Sequence, residues 1–509
     1  MALSLKLSKK IFRYISLSII PIIWLILIGF LYYRNSQHSV LESAPKISFD
    51  SGEVILREEW KRIYLNNEPV GYSKVLLQEG VFASRRVYVL NNETNLYLLV
   101  AGTNQNIKLI GNATLDKDLT LLQFNQELYT GGQRLRVRGI FGQKHLRLWI
   151  NSGAGETERI LPLQQRCYST EAINLILLRD KFPLGKKYRI PIFDPTTLSA
   201  DELEVEIIKK TEVEINKIKY PAFEVQQRFK GLTQTVWINP KGEALKEEAT
   251  LAGLNLVSLK ELEPDKAELQ VVHRSSQDLL LTSSIPANRE LANPRETYEL
   301  TVRLNNVPEQ QLEQIKQTGQ IFGKETAKNS IELQIKTNDL ARIPPYTEQV
   351  NTKQFIKYLA PSALVQSADP NIAKTAKKIA GNERDSVRGS VKLTRWVYRN
   401  IRKKILVSVP SAVDVLKYRE GDCNEHSVLF AALARSVGIP TKIVAGLVYK
   451  DGYFFYHAWN EVWVGQWVPV DATFGQTAVD ATHIKLIEGD LDQQIQLLSL
   501  VGKINIEIL

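Results

Sequence analysis

Two cysteines, Cys167 and Cys423, are all that the 509 residues contain. That excludes a disulfide framework and any site built on several thiolates, such as an all-cysteine zinc site or an iron–sulfur cluster. At most one disulfide can form, and it would consume both thiols. An excess of one charge is also nearly missing: 65 basic against 55 acidic residues give +10, and Lys6, Lys9, Lys10 and Arg13 supply four of that before any acid appears. The remainder is too dilute to argue for nucleic acid. No acidic loop of the calcium-binding kind is recognisable, and no segment demands a cofactor. What is present, 44% hydrophobic and 24% charged residues, excludes a disordered or collagenous chain and suits about three ordinary domains.

Long apolar runs are confined to one place. Tyr14 to Tyr33 is a stretch of 20 residues without a charge, and as a helix it would span about 30 Å, one hydrocarbon core. Tyr14, Tyr32 and Tyr33 mark its ends, and four cations precede it against Arg34 just after. The positive-inside rule then places the N-terminus in the cytoplasm. The stretch is too long for a cleaved signal peptide and lacks a small-residue cleavage site, so an uncleaved signal anchor is expected. The expected organisation is a cytoplasmic tail at 1–13, a transmembrane helix in contact with lipid at 14–33, and a juxtamembrane linker at 34–50. The rest would lie outside the cytoplasmic membrane, in the periplasm of a Gram-negative-type cell.

Residues 51–265 alternate as strands, for example Arg86-Val87-Tyr88-Val89-Leu90 and Leu135-Arg136-Val137-Arg138, which predicts an antiparallel sheet with one wet face. One helix interrupts it, opening at Ser169 or Thr170. Residues 266–297 carry turn and polar residues and read as a linker. A small strand-rich segment follows at 298–350. From about 351 to 485 the pattern is helical and then mixed, and 486–509 is a C-terminal extension. Val387, Val391, Thr394, Val397 and Ile401 share one helical stripe, with Arg395, Arg399, Arg402 and Lys403 read as a solvated face. Ser411 to Asp414 reads as a capping box. The fold class expected is α+β: a transmembrane helix, a large antiparallel β-rich domain and a C-terminal α+β domain.

The chemistry gathers in the last domain. Gly421-Asp422-Cys423-Asn424-Glu425-His426 precedes an apolar run from Val428 to Ala434, and Gly438 should end that helix. Asp422 as N-cap with Glu425 three residues on makes Cys423 the first helical residue. The helix end favours a thiolate there, while the two carboxylates oppose it, so a cationic partner is needed. His426, three residues along the same helix, reads as structural. His457 lies in an aromatic strand, Tyr453 to Trp463, and Trp467-Val468-Pro469-Val470-Asp471 is its natural return. A three-residue loop, Val464-Gly465-Gln466, would pair Trp463 with Trp467 and bring Asp471 to the face of His457; a two-residue loop would put them on opposite faces.

Gly421-Asp422-Cys423 with its helix, His457-Ala458-Trp459-Asn460-Glu461-Val462, and Trp467-Val468-Pro469-Val470-Asp471-Ala472-Thr473 together resemble the transglutaminase-like superfamily, relatives of the papain fold. The resemblance covers about residues 350–480. It implies Cys423 as nucleophile, His457 as general base and then acid, and Asp471 as the residue that orients the imidazole. Lys442, where many members have Arg, and Ala472, where many have Pro, depart from the pattern. For the oxyanion only the backbone N–H of Cys423 is proposed.

The function expected is a membrane-anchored, extracytoplasmic cysteine-dependent amide hydrolase that works through a thioester, on a peptide, protein or cell-wall peptide. The alternatives are a cross-linking acyltransferase that uses a lysine-like amine, and a silent scaffold that binds a partner. A metal site from Cys423, His426, His457 and Asp471 is a further rival, since those residues supply four ligands. No cofactor, no metal and no nucleic acid are expected, and both cysteines are expected free.

Overall fold

A computed structural model of the chain describes residues 55–509 except 131–132, 152–155, 196–197, 252, 263–276, 317–323, 338, 349, 351–352, 405–410, 490–493, 495 and 501. The α+β class with an N-terminal transmembrane helix is corrected by this structure. Strand outweighs helix more than twofold, so the chain is β-rich. Among the described residues no helix is long and apolar enough to cross a membrane. The helix expected at 14–33 lies outside the described residues, as do the segments expected at 1–13 and 34–50. The underestimate of strand has a physical source. Strands such as Arg85–Val100 and Ser199–Ile215 run for 16 and 17 residues, and register shifts such as that between Ile207 and Lys209 interrupt the alternation that a short window detects.

Two compact units divide the chain, one ending at Asp278 and the other running from Leu279 to Leu509. In the first, a 14-stranded antiparallel sheet is built from two meanders. Eight consecutive strands run from Ile55–Leu65 to Glu156–Pro162, six more from Lys187–Asp194 to Leu254–Lys260, and the first strand pairs with the last. The burial of Ile55–Leu65 alternates residue by residue from Glu59 on, as a strand with one packed face requires. Ser169 accepts the Ala172 N–H, and the helix Ile173–Arg179 follows. Its Ile173 and Leu177 join Ile192, Val205, Ile207 and Val225 in a buried cluster. Cys167 is buried, and burial pushes its thiol up to about 11.

The second unit holds Cys423, His457 and Asp471. Its five-stranded sheet has Tyr453–Trp463 between Ile285–Pro286 and Thr441–Lys450, with His483–Glu488 beyond and Trp467–Val470 pairing Tyr453–Trp463. The helices Pro370–Ala380, Ser386–Asn400 and Ala412–Tyr418 pack with the helix Cys423–Ser436, which also lies against Tyr453–Trp463. Every residue from Cys423 to Arg435 is buried, the apolar run Val428–Ala434 together with the polar residues of the first turn, because helices and the strand Tyr453–Trp463 pack around it. A second sheet joins Lys324–Ala327, Ser330–Lys336, Glu299–Asn305 and the final strand Asn505–Ile508.

Ser411 precedes the helix Ala412–Tyr418 without a side-chain capping bond. Its hydroxyl accepts from Gln366 Nε2 at 3.2 Å instead, so the expected capping box does not form.

Candidate active site

The site starts at a helix end. Asp422 caps the helix Cys423–Ser436 and accepts the Asn424 N–H, while Glu425 takes the Asp422 N–H at 2.9 Å, a complete capping box. Gly421 has to be glycine for this, since a Cβ there would overlap Glu425 Cβ. Cys423 is thereby locked as the first helical residue, fully buried. Burial is the main influence that raises its thiol well above the usual range, with the Asp422, Glu425 and Asp471 carboxylates adding to it. The Ala458 backbone N–H acts in the opposite direction and places the sulfur beside the strand that carries His457. The helix-end preference for a thiolate is outweighed, and the resting group is a neutral thiol.

His457 sits at the middle of Tyr453–Trp463, opposite Gly446. A Cβ at Gly446 would overlap the Ile484 carbonyl oxygen, so glycine lets the strand His483–Glu488 approach there. The return strand has the odd-length loop: Trp463 pairs with Trp467, and Asn460 with Val470. Asp471 follows the end of that strand and turns inward, its Oδ2 2.7 Å from His457 Nε2. Its Oδ1 accepts the Thr473 and Phe474 amides at 2.6 and 2.9 Å. Burial works to raise the Asp471 carboxyl, but His457 and His483 outweigh it and hold it far below the usual carboxylate range. Burial pushes His457 below its usual value despite Asp471. The ring is therefore neutral with its proton on Nε2, where Asp471 accepts it. His457 Nδ1, buried, has no hydrogen-bond partner among the described residues. The ring stacks on Trp459 and packs against Phe474, with centroids 6.0 and 4.8 Å apart.

The structure thus brings His457 and Asp471 into contact and sets Cys423 against the amide of Ala458, next in sequence to His457. His426 stands apart from that contact: its Nδ1 faces the Asp422 carbonyl one turn back, and burial pushes it down to about 4. Lys403, read from the sequence as part of a solvated face, departs from that reading. It lies in a two-residue strand, Arg402–Lys403, paired with Glu420–Gly421. Its ammonium sits 4.2 Å over the Tyr398 ring, and its charge acts on both Asp471 and His426.

His483 was not singled out from the sequence. It stands 26 residues beyond His457 in a run with no motif around it, and only the pairing of His483–Glu488 with Thr441–Lys450 carries it to the site. Its Nε2 is 3.3 Å from Asp471 Oδ2.

His457, Asp471 and His483 each offer a ligand atom, all within 4.8 Å of one another. Cys423 and His426, half of the four-ligand set considered from the sequence, are not in that group. Tetrahedral zinc with bonds of about 2.0–2.1 Å needs ligand atoms about 3.3 Å apart. His457 Nε2 and Asp471 Oδ2 are closer, at 2.7 Å, which is a hydrogen bond rather than two corners of a coordination sphere.

No curated protein matches the chain. Among solved structures, a proposed cysteine protease from Cytophaga hutchinsonii is 20% identical over 41% of this chain and 81% of its own, with a TM-score of 0.28. A β-barrel-like protein of a domain of unknown function from Brucella abortus is 10% identical over 40% and 95%, with a TM-score of 0.31. A proposed protease from Parabacteroides distasonis is 8% identical over 77% and 70%, with a TM-score of 0.18. Residues 373–472 match the transglutaminase-like superfamily. That segment, which contains Cys423, His457 and Asp471, carries a transglutaminase-like domain, and the match supports a cysteine-dependent enzyme.

Proposed function

We propose that the protein hydrolyses an amide bond through a thioester on Cys423, with a peptide or protein as substrate. The observation that carries this reading is the state of His457. Its Nε2–H is held by Asp471 at 2.7 Å, and its Nδ1 is buried without a partner among the described residues. One nitrogen is oriented and the other is left to accept a proton, which is what a general base requires. Cys423 supplies the nucleophile from the neutral thiol.

As sulfur attacks the carbonyl, the C–S bond forms and the thiol proton passes to His457 Nδ1. That nitrogen returns the proton to the leaving amine as the C–N bond breaks. Water then attacks the thioester, giving its proton to Nδ1, and the acid product leaves as the thiol is restored. Asp471 keeps the ring oriented throughout and stabilises the imidazolium when it forms. The enclosure of Cys423, His457 and Asp471, all fully buried, favours a small acceptor, and water is smaller than a protein-borne lysine.

The test is turnover of candidate peptides by the wild-type chain and by Cys423→Ala, with the product identified. Loss of turnover to background in the variant, and an acid product in the presence of a primary amine, are expected. Equal turnover by the variant overturns the nucleophile. An amide formed with the added amine as the main product overturns hydrolysis in favour of acyl transfer.

A further inference from the structure

The carboxylate that orients His457 serves a second imidazole. Asp471 Oδ2 meets His457 Nε2 at 2.7 Å and His483 Nε2 at 3.3 Å. On its other side, His483 Nδ1 faces the carbonyl and Oδ1 of Asp480 at 3.2 and 3.3 Å. A neutral imidazole has one N–H and one lone pair. With an acceptor oxygen at each nitrogen, only the ring protonated on both sides donates to both; the neutral ring would set a lone pair against a carboxylate. Asp480 is itself fixed, accepting Arg295 Nη1 at 2.7 Å, Gln476 Nε2 at 2.8 Å and the Thr482 N–H at 3.0 Å. Two carboxylates, Asp471 and Asp480, are thus matched by two cations, His483 and Arg295, and His457 completes the array without needing a charge.

We infer that His483 is a positioning residue of the reaction: by sharing Asp471 with His457, it offsets the carboxylate's pull on a proton and keeps Nδ1 of His457 open to accept one from the thiol. This rests on the reading of His457 as the base. The two rings lie edge to face with centroids 5.5 Å apart, close enough for like charges to repel when His457 takes its proton. The burial of His483 works to lower its protonation, but Asp480 and Asp471 outweigh it and raise it above the usual histidine value. Arg295 lies over the Phe474 ring at 4.7 Å and acts on His457. Lys403 acts on Asp471, and Asp422 and Glu425 act on the Cys423 sulfur. Trp459 and Phe474 face His483 with their rings.

The experiment reads the rate of iodoacetamide alkylation of Cys423 in the full chain as a function of pH, for wild type, His483→Gln and His457→Gln. Removing a like charge beside His457 makes that ring easier to protonate. The acid limb of the His483→Gln profile is therefore expected about one pH unit higher than in wild type. A purely structural role for His483 would change the rate or the melting temperature and leave the limb in place; an unmoved limb overturns the inference. If His457→Gln alkylates with the wild-type profile, the base reading itself fails, a result distinct from the first. Should His483→Gln not fold, the imidazole nitrogen NMR spectrum of the wild-type chain decides. One ring still doubly protonated above about pH 7 is expected; titration of all six histidines near or below the ordinary value of about 6.5 overturns it.

Discussion

A single imidazole shows how burial and charge compete at one residue. His457 lies against a carboxylate, which raises its affinity for a proton, yet burial wins and holds it below the usual value. Cys423 is pushed the opposite way, chiefly by burial and then by Asp422. Both shifts favour uncharged forms, so the resting pair is thiol and imidazole rather than thiolate and imidazolium. A pH dependence follows with a definite sign. On the proposed function His457 is the base and works only when neutral, and its lowered pKa keeps it neutral further into acid. The acid limb of kcat/KM is expected below about pH 6.5, the value of a free imidazole. A limb above that value, measured with any turned-over peptide, would contradict a buried base. The placement of Cys423 at a helix start, of His457 in an aromatic strand and of Asp471 beside it after the return strand was legible in the sequence, because each leaves a local signature. The balance of their charges was not, since it depends on what encloses them.

At the scale of elements, the helix Cys423–Ser436 was readable from end to end: Asp422 as cap, Glu425 closing the box, an apolar run, and Gly438 at φ +82° past the end. Its first turn depends on a close approach. Gly421→Ala would drive a Cβ into Glu425 and disturb the turn that holds Cys423. A loss of about 1–3 kcal/mol is expected, the usual cost of overpacking a tight site, together with impaired turnover. Denaturant unfolding of the variant checks it, and an unchanged midpoint would show that the turn relaxes freely. Elements whose placement relies on distant partners were misread. Lys403 looked like part of an exposed basic face because its helix-period neighbours are basic; in the two-residue strand Arg402–Lys403, which pairs with Glu420–Gly421, it is half-buried. Ser411 looked like a cap, yet a buried glutamine takes its hydroxyl. In both, a tertiary partner outbids a local preference.

For the whole molecule, the second unit is closed by residues far apart in the chain. Asn505–Ile508 pairs with Glu299–Asn305, with Ile508 opposite Val302 and Ile506 opposite Leu304. Ile506 and Ile508 are buried. Deleting residues 505–509 exposes an edge and removes two buried isoleucines, each worth about 1.5–3 kcal/mol. The unfolding midpoint of the full chain is expected to fall in thermal melts, and a midpoint equal to wild type would show that the strand is dispensable. The large sheet teaches the same lesson. Each of its strands alternates in a way a sequence can display, but the pairing of Ile55–Leu65 with Leu254–Lys260 joins two meanders across nearly 200 residues. The sequence by itself determined the local pieces: where a thiol begins a helix, where a histidine sits in a strand, and the hairpin that returns an aspartate toward it, because caps, periodicity and turn length act over a few residues. Only the tertiary structure decided that a second histidine shares that aspartate, that Lys403 is partly withdrawn from solvent, and that burial favours the uncharged forms of the Cys423 thiol and the His457 imidazole, because these follow from burial and long-range pairing.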